Sequence, residues 1–349
     1  MDPVGPSKGG ATRQMTLDKR KWLWAACIVV VAMAIGWLAF GRSAERTPLR
    51  IGINPWPGYE HLYLAKVLGL YKEAGVDVEI VEFNSLLDAR RAFERGQIHG
   101  LGTTATDIAL SLGQSSSAPR IVQVVDFSNG GDLLLADSAI KSFQDLRGKR
   151  IGLESGSVSS YVLARALVLN GMNGSDITTI ASDQTSLLEE FAKGNIDAIV
   201  TYPPFSVKIL STGRARSLFT SAAIPHEVLD VIAFDAGILE RRPDDVRGIL
   251  GAYWKARKAA EDAPRTNVAI MARREGISDS EFAASLRNDI QLVHERDQPS
   301  YLGPEGKLKA VLLRADSVLR REGFVKGPPR LDSAVFTDPR LQKDGRSPK

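Results

Sequence analysis

From Leu49 onward, short β-branched runs alternate with amphipathic stretches, and no other feature constrains the chain as strongly. The alternation is the pattern of βαβ units, whose strands are covered by helices and join a largely parallel sheet. Strands are predicted at 49–53, 76–83, 99–102, 120–127 and 132–137, with helices at 59–69, 86–95 and 106–112, enough for one α/β lobe. A second series follows, with strands at 150–153, 177–181 and 198–201 and helices at 158–169, 187–193 and 205–210, complete by about Thr220. The apolar run 228–237 reads as one more strand. After Pro243, which suits a first helical position, 248–260 and 307–321 repeat apolar residues at helical spacing.

A chain that leaves one lobe, builds a second and returns is a discontinuous two-domain design. Lobe 1 is expected from 48–135 plus 229–325 and lobe 2 from 136–228, with 133–136 and 231–234 as a two-strand hinge. Residues 326–349, with four prolines, are expected to form a flexible tail.

The amino terminus is different in kind. Lys8, Arg13, Lys19, Arg20 and Lys21 form a basic leader (1–21), and residues 22–40 then run without a charge. At ~1.5 Å per residue such a run spans most of a ~30 Å hydrocarbon layer. The basic flank is expected to stay cytoplasmic and to send residues after Gly41 outward. The segment is therefore a transmembrane anchor or a signal h-region, and the rest lies in the periplasm or on the extracytoplasmic face. Cys27 is the only cysteine, which excludes an intrachain disulfide and a thiol-ligated metal site. Forty-five basic against 41 acidic residues leave a formal charge of +4, part of it in the leader, so no nucleic-acid footprint is expected.

Ligands in α/β sheets gather beyond the carboxyl ends of strands, where helix N-termini offer unpaired N–H groups. Four junctions carry suitable residues. In Asn54-Pro-Trp-Pro-Gly-Tyr-Glu60 the prolines and glycine stiffen a loop that displays Trp56 and Tyr59, as ligand walls or as a lid over the core. Gly102-Thr-Thr-Ala-Thr-Asp107 offers hydroxyls and amides for a ligand or a helix cap. Glu154-Ser-Gly-Ser-Val-Ser-Ser-Tyr161 is a hydroxyl-rich helix start able to cradle an anionic head, without the Gly-Lys-Ser/Thr ending of a phosphate loop. Thr201-Tyr-Pro-Pro-Phe205 ends a strand at Tyr202.

Five stretches taken in order, 53–65, Val124-Val-Asp-Phe-Ser-Asn-Gly-Gly-Asp132, Leu146-Arg-Gly-Lys-Arg-Ile-Gly152, Gly156-Ser-Val-Ser-Ser-Tyr161 and Gly194-Asn-Ile-Asp-Ala-Ile-Val-Thr-Tyr-Pro-Pro204, resemble the nitrate, sulfonate and taurine class of ABC-transporter substrate-binding proteins over residues 49–323. The resemblance implies an α/β, two-lobed type II periplasmic-binding fold and a small ligand, of the sulfonate, nitrate, taurine or thiamine-precursor class, held by lobe closure. ABC permease and ATPase subunits are the partners such a protein would serve, and a monomer without a cofactor is expected. Carried over by position, Trp56, Tyr59, Thr103, Thr104, Asp107, Asp126, Ser157, Ser159, Ser160 and Tyr202 would face the cleft. Asp107, Asp126 and Glu154 suit an amine or cationic group, helix N-termini suit an anion, and a zwitterion uses both. Each carboxylate equally caps a helix or pairs with an arginine.

Two rival functions remain: a membrane-tethered sensory module, and a biosynthetic enzyme on the same fold. The four histidines, His61, His99, His226 and His294, lack metal-ligand spacing, and neither a Gly-x-Ser-x-Gly elbow nor a His-Glu-x-x-His helix is present. His61 is expected as a surface or packing residue, and no metal or catalytic residue is assigned.

Overall fold

The computed structural model describes residues 47–114, 118–303, 306–322 and Leu331. The predicted span 22–40 and the tail other than Leu331 lie outside the described residues. Among the described residues, no helix is long and apolar enough to cross a membrane.

Two sheets organise the chain from Pro48 on. The first contains β1 (Leu49–Ile53), β2 (Val78–Glu82), β3 (Gly100–Thr104), β4 (Pro119–Ser128), β10 (Leu229–Asp235) and β11 (Ile290–Leu292), in the order β11-β4-β10-β3-β1-β2. The second contains β5 (Leu133–Asp137), β6 (Arg150–Leu153), β7 (Thr178–Ala181), β8 (Ala198–Thr201) and β9 (Ala215–Thr220), in the order β7-β6-β8-β5-β9. The sheets are mixed rather than largely parallel. β10 runs antiparallel to both β3 and β4, and β5 antiparallel to both β8 and β9.

β10 shows why the sequence reads as it does. Leu229, Val231 and Ala233 enter the core beneath helices Ala105–Gln114 and Lys307–Arg321, while Ile232 and Phe234 enter the core shared with helices Glu60–Val67 and Pro243–Asp262. A strand covered on both faces is apolar at successive positions rather than alternate ones. Asp230, on the Ile232 face by the period of two, is the polar exception.

The helices follow their punctuation. Ser85 caps Leu86–Glu94, accepting from the Asp88 amide at 3.2 Å, and Ser278 with Glu281 forms a capping box on Asp279–Asn288. Asp183 opens Gln184–Lys193, and Gly194 closes it in the left-handed region at φ 76°.

The expected two-strand hinge needs correction. Residues 133–136 lie in β5 and 231–234 in β10, and each strand is paired on both sides inside its own sheet. The chain instead passes between sheets through 129–132 and 221–228. These crossings lie side by side: Ser221 N donates to Asp132 O at 2.8 Å, and the Ser128 and Ser221 hydroxyls are 2.7 Å apart. Sequence periodicity locates a strand but is blind to its neighbours, so it does not tell a strand next to a crossing from the crossing. Helical spacing at 248–260 and 307–321 leaves β11 unmarked, a three-residue edge strand on β4.

Candidate functional site

Strand register assembles the site. In β10, Asp230 lies opposite Thr104 at the end of β3 on one side and Asp126 of β4 on the other. The 54–60 loop covers them, bringing Trp56 and Tyr59 inward. Two glycines make this approach feasible: a Cβ on Gly58 would lie 1.9 Å from Asp126 Oδ2, and one on Gly102 would lie 2.8 Å from the Tyr59 ring. From the second sheet come Tyr202, just past β8, and Val158, at the start of helix Val158–Leu169.

These parts enclose a cavity of about 10 Å³, room for one water. It is lined by Asn54, Trp56, Tyr59, Leu86, Thr104, Asp132, Val158, Tyr202 and Asp230, residues drawn from both sheets and the crossing between them. The Trp56 and Tyr202 rings meet edge to face across it, centroids 6.1 Å apart.

Carboxylates dominate the electrostatics. Trp56 Nε1 donates to both oxygens of Asp126 at 3.2 and 3.3 Å, Tyr59 OH to Asp230, and Tyr202 OH to Glu154 Oε2 at 3.1 Å. Asp126, Asp132, Asp230 and Glu154 are all buried, and none makes an ion pair with a described residue. Burial pushes Asp126 up to about 7, Asp132 to about 6 and Glu154 to about 7. Asp230 rises well above the usual range, first through burial and then through the charge of Asp126. The two face each other closely enough to share a proton, which fits Asp230 Oδ2 having no donor of its own.

The sequence-predicted residues divide. Trp56, Tyr59, Thr104 and Tyr202 line the cavity, and Asp126 lies directly behind Trp56. Asp107 is turned elsewhere. Thr104 Oγ1 donates to its Oδ2 at 2.7 Å, Arg90 pairs with its Oδ1 at 3.3 Å, and the Val158 amide donates to Oδ2 at 3.2 Å. Burial raises Asp107, with Arg90 opposing. Thr104 also caps its own helix by accepting from the Asp107 amide.

The expected anion cradle at 157–160 is therefore filled from within. Its Val158 amide goes to Asp107, the Ser159 amide to Ser157 Oγ, the Ser160 amide to Ser157 O and the Gly156 amide to Ser160 Oγ. Ser157 is the N-cap, and neither it nor Ser159, Ser160 or Thr103 lines the cavity. Ser159 Oγ and Thr103 Oγ1 are buried without a partner. His61 packs edge to face on Tyr253 and is held down to about 4 by burial, a neutral packing residue.

Sequence reasoning missed Asn54, Leu86, Asp132, Val158 and Asp230. An aspartate inside an apolar strand was a usable signal for Asp230. Asp132 follows Gly130-Gly131 in a crossing, and nothing local marks it.

Two mixed sheets joined by paired crossings, with a cavity drawing on both, define the architecture of periplasmic binding proteins. The alkanesulfonate-binding protein of Xanthomonas axonopodis pv. citri, solved with MOPS bound, superposes with a TM-score of 0.72 at 18% identity, over 84% of this chain and 99% of that one. The periplasmic nitrate-binding protein of Synechocystis PCC 6803 gives 0.66 at 14% identity, over 83% and 84%. A Brucella abortus protein provisionally named a binding protein is 25% identical over 281 residues, 76% of this chain and 84% of that protein. The chain belongs to the NMT1/THI5-like family, whose model matches residues 56–267.

Proposed function

We propose that the chain is the extracytoplasmic solute-binding component of an ABC importer, in which two lobes close around a small polar organic ligand. The observation that carries this reading is the shared lining: Asn54, Trp56, Tyr59, Thr104 and Asp230 come from one sheet unit and Val158 and Tyr202 from the other around a space for one water, so a solute enters only as the units part and is then held by both. Affinity then derives from preferential binding to the closed form, and closure is what a permease reads. The lobes correspond to the units built on β1–β4 with β10 and β11 and on β5–β9, moving about the crossings at 129–132 and 221–228. The protein works as a monomer, held at the membrane by 22–40 or released after cleavage there. Names of structural neighbours that bind nitrate or alkanesulfonate support solute capture.

The test is a thermal-shift screen of the full-length chain against sulfonates, nitrate, amino acids, polyamines and thiamine precursors, followed by mass spectrometry of each stabilising compound after incubation. A bound solute raises stability by ~RT ln(1 + [L]/Kd). Stabilisation with the compound returned unchanged is expected. Conversion of the compound would make the protein an enzyme, and no stabilisation by any class would overturn the reading.

A further inference from the structure

The crossing 221–228 is gripped by both sheet units at successive residues. His226 sits in the left-handed region at φ 61°, and its ring meets Phe127 of β4 edge to face, centroids 4.7 Å apart. A residue other than glycine adopts this region at a cost, so its contacts must hold it there. The next residue, Glu227, is buried and bonded to the second unit instead. From helix Val158–Leu169, Tyr161 OH donates to its Oε2 at 2.6 Å, Arg165 Nε to Oε2 at 2.7 Å and Arg165 Nη2 to Oε1 at 2.9 Å.

A third side chain reaches the same carboxylate. Arg314 Nη1 donates to Oε1 at 3.1 Å from helix Lys307–Arg321. That helix belongs to two cores. Its Leu308, Leu312 and Leu319 pack with residues of β3, β4 and β10 in the first unit, whereas Ala315 and Val318 pack with residues of β5, β6 and β8 in the second. When the units part, it cannot keep both sets of contacts.

Resting on the lobe-closure reading, we propose that Glu227 is a clasp of the closed form, tying Arg314 on the shared helix to Tyr161 and Arg165 on the helix whose first residue, Val158, lines the cavity. Opening gives up the Arg314 bond first. Arg314 supplies one bond from a half-exposed side chain, while Arg165 is better covered and supplies two, the stronger arrangement for a guanidinium on a carboxylate. Burial alone would raise Glu227, yet the bonds from Arg165 and Tyr161 hold it below the ordinary carboxylate range, so the clasp keeps its charge through neutral pH. The clasp sets affinity without touching the solute, because a solute held only by the closed form binds more weakly as the closed fraction falls.

The test reads closure with no solute present, so its failure and the failure of solute capture are distinguishable. Lys208 Nζ of the second unit lies 3.7 Å from the place of a Cβ on Gly276 of the first, which marks a seam where the units meet. Spin labels at Ser211→Cys and Ser280→Cys, one on each side of that seam, report the distance between units by double electron–electron resonance in a full-length Cys27→Ser chain. Arg314→Ala is expected to raise the long-distance population about threefold, and Arg314→Lys, which keeps the charge, to restore most of the short distance. The unfolding midpoint of either variant should move by no more than about 3 °C. Arg320→Ala, whose partner Asp316 lies on the same helix, should leave the distances alone. Equal distributions in the parent and Arg314→Ala, or an equal rise in Arg320→Ala, would overturn the clasp and leave solute capture standing. A parent showing only the long distance would overturn it as well.

Discussion

Asp107 Oδ2 accepts the Val158 amide at 3.2 Å, so a side chain carried by the first sheet's helix Ala105–Gln114 fills the N-terminus of a helix belonging to the second. Arg90 reinforces the junction, pairing with Asp107 and donating to Gly156 O at 2.9 Å. The contact joins the two halves and removes the best anion-binding feature of the fold from the solute's reach.

Asp107→Ala breaks a buried pair and is expected to cost about 3 kcal/mol in denaturant unfolding, Arg90 retaining Glu94 as a partner. It also frees the helix N-terminus. Sulfate should therefore raise the midpoint of the variant more than that of the parent. An equal response would show that Asp107 does not guard an anion site.

Ligand-free stability should fall as pH rises. Asp126 and Glu154 move from ordinary values near 4 up to about 7, and Asp132 to about 6. Between those limits the folded chain holds protons that the unfolded chain has released, so raising the pH favours unfolding. The cost is absent below about pH 4 and complete above about pH 7. Calorimetric midpoints are expected to drop by on the order of 5 °C between pH 5 and 8. A rising midpoint over that window would contradict the assignment.

Gly58→Ala puts a methyl 1.9 Å from Asp126 Oδ2 and 2.8 Å from Val125 Cγ1. Overpacking of this kind costs about 1–3 kcal/mol. Because the displaced group is Asp126, binding of any stabilising solute should weaken as well, whereas Gly251→Ala, inside helix Pro243–Asp262 with open space at its Cβ, should leave binding alone and stabilise by about 0.5–1 kcal/mol.

Tyr202→Phe removes one of two donors to Glu154 Oε2, leaving Gln184 Nε2 at 3.3 Å. The carboxylate loses stabilisation of its charged form, so its midpoint climbs further above about 7. The pH window over which stability falls should shift upward, with about 1 kcal/mol lost in stability. An unmoved window would show that Tyr202 does not hold the Glu154 charge.

Much of this arrangement was legible because loop chemistry is local. Prolines and a glycine around Trp56 and Tyr59, and a strand ending at Tyr202, mark ligand-side junctions in any α/β chain. Thr104 was legible for the same reason. Asp230 was not, since its role depends on the β10 register against β3 and β4 and on Tyr59, 171 positions earlier in the chain. The serines at 157–160 misled for a related reason. A helix start looks like an anion cradle until a distant carboxylate fills it, and no spacing rule announces Asp107 as that carboxylate. The hinge failed likewise, because pairing partners decide whether a strand is a linker or a sheet centre.

Titration calorimetry of the full-length chain and its Tyr202→Ala variant, with the solute that stabilises the parent most in the screen, bears most directly on the central claim. The account predicts binding weakened at least about tenfold in the variant, because Tyr202 is the second sheet unit's aromatic wall. Unchanged affinity in a folded variant would contradict it.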